Sequence, residues 1–247
     1  MSQPSKSTSP WVWVAAGCGC AVLVGVLAIG GMGFFGYRWA KQVESGIKDP
    51  TQRQAKVLEV LGAERLPAGY YPVMGLSVPF VMEMAMLSDH ELPAGEDLDH
   101  AGREVFGERG FIYTKMIQSG RDRQRIQDYF DGKTDDLDAL RHTGMNLGRG
   151  EVLRKGTLTL PGAEARYVSQ RSNVSFHSGA GARSITTTTM IDCPQDSKMR
   201  LGIWFTPDPA PQAEEVSAGS ADLAGTPADE AALAEFLGHF RFCGAGS

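Results

Sequence analysis

Between Val12 and Phe35 the chain reads "VWVAAGCGCAVLVGVLAIGGMGFF" and carries no charged residue. At about 1.5 Å rise per residue, a helix of this length crosses a hydrocarbon core of about 30 Å. Trp11 and Trp13 stand at one end and Tyr37 and Trp39 at the other, where amphipathic rings prefer the headgroup level. The stretch therefore predicts a transmembrane anchor over 11–37, after a short polar tail at 1–10. Gly17, Ala21 and Gly25 form a small-xxx-small row, which would let two such helices associate closely. Cys18 and Cys20 then act as small apolar fillers.

Cleavage fits this segment less well. "VAAGC" has the look of a lipid-attachment site, but the apolar run should precede its cysteine, and here most of it follows. "VLA" at 26–28 has small residues at signal-peptidase positions, yet the apolar run continues past it. Positive charges at Arg38, Lys41 and Lys48 against Lys6 would place the larger domain in the cytoplasm. Cys193 and Cys243 argue the other way. They are the two cysteines after the anchor, each ends a core element, and a bridge between them suits an oxidising compartment. The expectation is a single-pass cell-membrane protein with an extracytoplasmic domain, in which Cys193 and Cys243 either form a disulfide or stay reduced and buried, as free cysteines commonly are.

After a juxtamembrane linker at 38–48, residues 49–247 suffice for one ordinary domain. Their order of elements predicts an α+β fold, an antiparallel sheet packed against helices. "KDPTQRQAKVLEVLG" reads as a helix with Asp49 as N-cap, Pro50 at its first position, Gln52 completing a capping box, and Gly62 as its stop. Val57, Leu58 and Leu61 form its apolar stripe. Strand-like sequence follows, punctuated by Pro72 and Pro79, which mark edges or bulges. "GFIYTKMIQ" is a strand, and "SGRDRQRIQDYFDG" a helix with Ile126, Tyr129 and Phe130 on one face. A shorter helix is expected in "TDDLDALRHTG". "EVLRKGTLTL" and "AEARYVSQRSNVSF" flank a Pro161-Gly162 turn and predict a hairpin. "ITTTTMIDC" and "MRLGIWFTP" extend the meander. A flexible Ala/Pro/Gly/Ser insertion occupies about 207–225, and Thr226 caps a closing helix begun by Pro227, with Leu233, Phe236, Leu237 and Phe240 facing the core.

This layout, with the closing "FLGHFRF", resembles the Mog1/PsbP-like fold over roughly Gly69 to Cys243. The "LGAERLPAGYYPV" stretch after the anchor is similar to that of bacterial single-span membrane proteins. Neither resemblance implies a catalytic residue.

The chemistry on offer is sparse. A net charge of −5 and the absence of a basic stripe exclude a general nucleic-acid binder. Met82, Met84 and Met86 alternate, so a strand would present all three on one face. Soft thioethers suit Cu(I), although methionine is also a common filler of irregular cores. Asp89, His90, Glu91, Glu96, Asp97, Asp99 and His100 could hold a divalent cation, but their spacing matches neither an EF-hand nor a zinc motif. Ser169, Ser172 and Ser175 lie near His177 in sequence without a nucleophile elbow. The Gly-rich "SGAGARS" lacks the following helix of a phosphate loop.

The expected function is a non-enzymatic binding or interaction domain tethered in the bacterial envelope, its partner a protein, envelope component or small ligand. The alternatives are a hydrolytic enzyme with dispersed catalytic residues and a copper-handling domain built on the methionine strand. A pocket joining serine, histidine and carboxylate would favour the enzyme, and a flat or apolar surface the binder.

Overall fold

The computed structural model describes residues 48–95, 107–118, 120–134, 150–172, 183–194, 196–209 and 223–244. The chain divides into two units, Met1–Ser45 and Gly46–Ser247, and every described residue lies in the second.

Asp49 starts the first helix, α1 (Pro50–Leu61), by accepting from the Thr51 and Gln52 amides at 2.9 and 3.4 Å. Those amides have no partner inside the helix, so the cap satisfies them. Gln52 departs from the expected capping box, because its amide donates to the Asp49 carboxylate at 2.9 Å instead of reaching back to the backbone. Gly62 ends the helix at φ 61°, a left-handed conformation that glycine adopts without a side-chain clash. Val57, Val60 and Leu61 are buried, and Leu58 is half-buried.

Seven strands follow: β1 (Tyr71–Val78), β2 (Met82–Ser88), β3 (Gly110–Met116), β4 (Glu151–Leu160), β5 (Ala163–Ser172), β6 (Ser184–Asp192) and β7 (Met199–Pro207). They form one antiparallel sheet in the order β1-β2-β3-β7-β6-β5-β4. Two meanders thus meet at the β3–β7 pair, and β1 and β4 are the edges. Pro72 lies in edge strand β1, where the register shifts between Pro72 and Met74, as a residue without a donor N–H requires. Helix α2 (Gly120–Phe130) follows β3, and α3 (Glu230–Gly238) follows β7.

Helices α1 and α3 cover one face, where Val57, Leu61, Leu233, Phe236 and Leu237 pack with Leu87, Phe111, Tyr167 and Trp204. Gly75 lets α1 approach β1, since a Cβ there would lie 2.8 Å from the Val57 nitrogen. Helix α2 covers the other face with Ile126, Tyr129 and Phe130 against Val168, Met190, Leu201 and Ile203. Arg166 pins the end of α2 by bonding Asp131 at 2.6 Å and Asp192 at 2.5 Å.

The expected architecture is corrected in several respects. The described residues make mainly a seven-stranded antiparallel sheet with three helices, not a domain led by a transmembrane helix. No helix among them is long and apolar enough to cross a membrane. The 11–37 anchor, most of the 38–48 linker, the helix expected in "TDDLDALRHTG" and residues 210–222 of the insertion lie outside the described residues. Pro207 belongs to β7 instead of a flexible segment. The closing helix starts at Glu230 with Asp229 as its cap. Thr226 forms a preceding turn, its hydroxyl donating to the Leu223 carbonyl at 2.7 Å. An aspartate three residues further on competes for the cap and wins, accepting from the Ala231 amide at 3.1 Å.

Cys193, just after β6, and Cys243, beyond α3, form a disulfide with a Cα–Cα distance of 5.5 Å across a sequence separation of 50. Beside it the buried Arg200 donates from Nε to the Phe242 carbonyl at 3.1 Å and pairs with Asp196. The C-terminal segment is therefore fastened both covalently and through a buried cation.

Candidate functional site

The turn between β1 and β2 reads Val78-Pro79-Phe80-Val81. The Val81 amide donates to the Val78 carbonyl at 3.0 Å, closing a four-residue turn. Proline presets the second position of such a turn, and Phe80 occupies the third at φ 63°. A turn with positive φ there takes glycine or asparagine by preference. Phe80 is the one non-glycine residue with positive φ among the described residues. For a side chain with a Cβ this conformation costs about 1–2 kcal/mol.

The ring gains little from the fold in return, since Phe80 is 89% exposed. Val81 and Ile117 are exposed beside it, and the Ile117 amide donates to the Val81 carbonyl at 3.4 Å. Thus two chain segments, the β1–β2 turn and the residue after β3, present one apolar tip at the end of the sheet. Phenylalanine offers about 150–250 Å² of surface for burial. At about 25 cal/mol per Å², covering it would return roughly 4 kcal/mol, more than the backbone strain.

A shallow notch lies behind the tip, lined by Val78, Phe80, Val81, Met82, Glu83, Lys115 and Lys198. Lys115 pairs with Glu83 at 3.0 Å. Lys198 makes no salt bridge among the described residues. Sequence reasoning marked Pro79 but not Phe80, because no pattern of residue types announces a positive φ on an aromatic side chain. The proline-aromatic-aliphatic run at a hairpin tip, lacking the usual glycine, was the available signal.

The methionines flagged in the sequence do share a face. Met82, Met84 and Met86 stand opposite Met116, Thr114 and Ile112 on β3. All three are half-buried. The register also brings in partners that alternation along one strand did not show: Met116 faces Met199 on β7, and Met74 faces Met86. Met199 and Met190 are fully enclosed in the core under α2. There the thioethers fill irregular space between branched neighbours.

Ser88, Asp89 and His90 meet in one turn at the opposite end of β2. The Asp89 Oδ1 atom lies 3.5 Å from the Ser88 hydroxyl and 3.2 Å from His90 Nδ1. In a nucleophilic triad the imidazole stands between serine and carboxylate; here the carboxylate stands in the middle. Ser88 is buried, and its hydroxyl accepts from the His90 and Gly107 amides. Burial acts to raise the Asp89 carboxyl, but the His90 contact and the Arg109 and Glu108 amides outweigh it and hold it below its ordinary range. The cluster fastens the β2–β3 connection. Glu91 is exposed nearby, while Glu96, Asp97, Asp99 and His100 lie outside the described residues. Among the described residues no group of three or more histidine, cysteine, aspartate or glutamate side chains could hold a metal ion.

Ser169 is fully buried and shares a 2.6 Å hydrogen bond with Thr187, which donates to the Pro227 carbonyl at 2.6 Å. This pair anchors the turn before α3. Ser172 ends β5, and Ser175, His177 and "SGAGA" lie outside the described residues.

No protein-family model matches the chain, and no curated protein matches it in sequence.

Proposed function

We propose that this protein is a non-enzymatic binding module of the bacterial envelope, attached to a membrane through its apolar N-terminal stretch and working outside the cytoplasm. It makes contact through the Phe80 hairpin. The observation that carries this reading is an aromatic ring held at φ 63° and 89% exposed. Strain of this kind persists where it serves a contact, and clustered exposed apolar residues mark interaction sites. The Cys193–Cys243 bridge supports the compartment, because structural disulfides persist in oxidising surroundings.

A photo-cross-linking phenylalanine analogue at position 80 of the full chain, activated in intact cells, tests the contact. Adducts should form at 80 and be absent from the same analogue at Val152, which is exposed on edge strand β4. No adduct at 80 would remove the reading. For the compartment, a membrane-impermeant thiol reagent should label Cys193 and Cys243 on intact cells after reduction. Labelling that requires lysis would place the domain inside.

A further inference from the structure

We propose that the Phe80 tip docks on the surface of an anionic lipid bilayer. This rests on reading the hairpin as a contact site, and the charges around the tip supply the partner's chemistry. Helix α2 begins three residues after Ile117, and its first turns carry Arg121, Asp122, Arg123 and Arg125. Arg123 donates to the Ser197 carbonyl, next to the Lys198 that lines the notch, so α2 and the notch are neighbours. Most acidic groups there are already neutralised: Glu83 by Lys115, Asp192 by Arg123 and Arg166, and Asp196 by Arg200. Arg121, Arg125 and Lys198 make no salt bridge among the described residues, against the carboxylates of Asp122 and of Glu164, which stands opposite Asp192 on β5. In a chain of net charge −5, the end bearing the apolar tip is therefore locally positive.

An aromatic and two aliphatic side chains at the apex, with amines and guanidinium groups set behind them, match the layering of a bilayer surface. Apolar groups enter the acyl boundary while long basic side chains reach phosphate oxygens. A protein pocket would need a concave apolar receptor for Phe80, and it would not explain why the unpaired cations gather at this end. An anionic surface engages both features, and each basic residue near it strengthens binding about fivefold.

The test uses the full chain with the photo-cross-linking analogue at position 80, and separately at Ile117, which is 62% exposed. It is reconstituted in vesicles of phosphatidylcholine alone or with about 30% phosphatidylglycerol, the anionic component that draws basic segments to a surface. Attachment through the N-terminal stretch is the same in both, so an adduct at 80 or 117 reports the tip alone. Lipid adducts should form in the anionic vesicles and fall about fivefold for each of Lys198→Ala and Arg121→Ala. They should also fall at high salt, where exposed charges are screened. Absence of lipid adducts from both vesicle types overturns the proposal, as do equal yields in both with the charge variants silent. Protein adducts at 80 in cells, without lipid adducts in vesicles, would overturn the lipid surface while leaving the hairpin as a contact site. Absence of adducts in both settings would remove both readings.

Discussion

The indole of Trp204 lies flat on the ring of Phe236, with centroids 4.3 Å apart and planes within 4°. Trp204 comes from β7 in the centre of the sheet and Phe236 from α3, so this stack joins the last helix to the strand where the two meanders meet. Phe236 also meets the edge of Phe111 and packs against Tyr70, whose hydroxyl accepts from the Trp204 indole at 2.7 Å. Replacing Phe236 by alanine should therefore destabilise the chain by about 3–5 kcal/mol, in the range for truncating a buried aromatic residue. Urea unfolding checks the magnitude, and emission from Trp204 should shift as its stacked partner is lost. A loss below about 1 kcal/mol, the level of an ordinary surface change, would show that α3 is not fastened through this stack.

The Cys193–Cys243 bridge closes a long loop and limits the unfolded chain more than the folded one. Chain-entropy arguments put its contribution at about 4 kcal/mol for a separation of 50 residues. A Cys193→Ser, Cys243→Ser double variant should unfold at a correspondingly lower urea concentration, and reductant should move the parent protein toward it. Coincident unfolding curves would contradict the covalent fastening.

Gly75 lies under α1, and Gly75→Val would drive a side chain toward the Val57 nitrogen, 2.8 Å from where its Cβ must sit. The two nearest atoms, the Val57 nitrogen and the Lys56 carbonyl carbon, are backbone and cannot swing aside. A loss of about 1–3 kcal/mol is expected from such overpacking, measured by chemical denaturation. Unchanged stability would mean that α1 moves freely over β1.

Several carboxylates are held below their ordinary range. Lys133 and Arg166 do this for Asp131. Burial opposes the shift at Asp196, where the Lys198 amide and Arg200 prevail, and at Asp89, where His90 leads the opposing contacts. A depressed carboxyl binds protons more weakly folded than unfolded, so its stabilising effect is complete above the unfolded value of about 4 and is lost as pH falls through the folded value. Urea midpoints should therefore be steady on the neutral side and drop in acid, with Asp131→Asn showing a shallower drop. A midpoint unchanged down to about pH 3 would contradict this assignment.

Much of the local structure was legible in the sequence because short-range chemistry decides it. Asp49, Pro50 and Gly62 mark α1 unambiguously, and Pro161-Gly162 marks the β4–β5 hairpin, with Gly162 at φ 74°. Ile126, Tyr129 and Phe130 share the buried face of α2 as their spacing requires. Cys193 and Cys243 were marked as candidates for a bridge by being the two cysteines after the apolar stretch, and their geometry decides for the disulfide over two reduced thiols. The β3–β7 pairing was not legible, since it joins Gly110 to Phe205 and depends on global packing. The cross-strand neighbours Met116 and Met199 were hidden for the same reason. Arg200 and Arg53 gave no hint of burial, because a guanidinium is enclosed only when distant carbonyls happen to receive it, here those of Phe242 and Leu92. The apolar tip was missed because Phe80 breaks the turn preference that sequence reading relies on.

Urea unfolding of full-length Phe80→Gly beside the parent chain tests most directly whether this aromatic ring is kept for contact and not for folding. Glycine removes the left-handed cost of about 1–2 kcal/mol and gives back part of it through a freer unfolded chain. A higher midpoint for Phe80→Gly, by roughly 0.5–1 kcal/mol of stability, is the predicted result. A lower midpoint would show that the ring packs within the fold, and the hairpin would then be a structural element with no surface to spare.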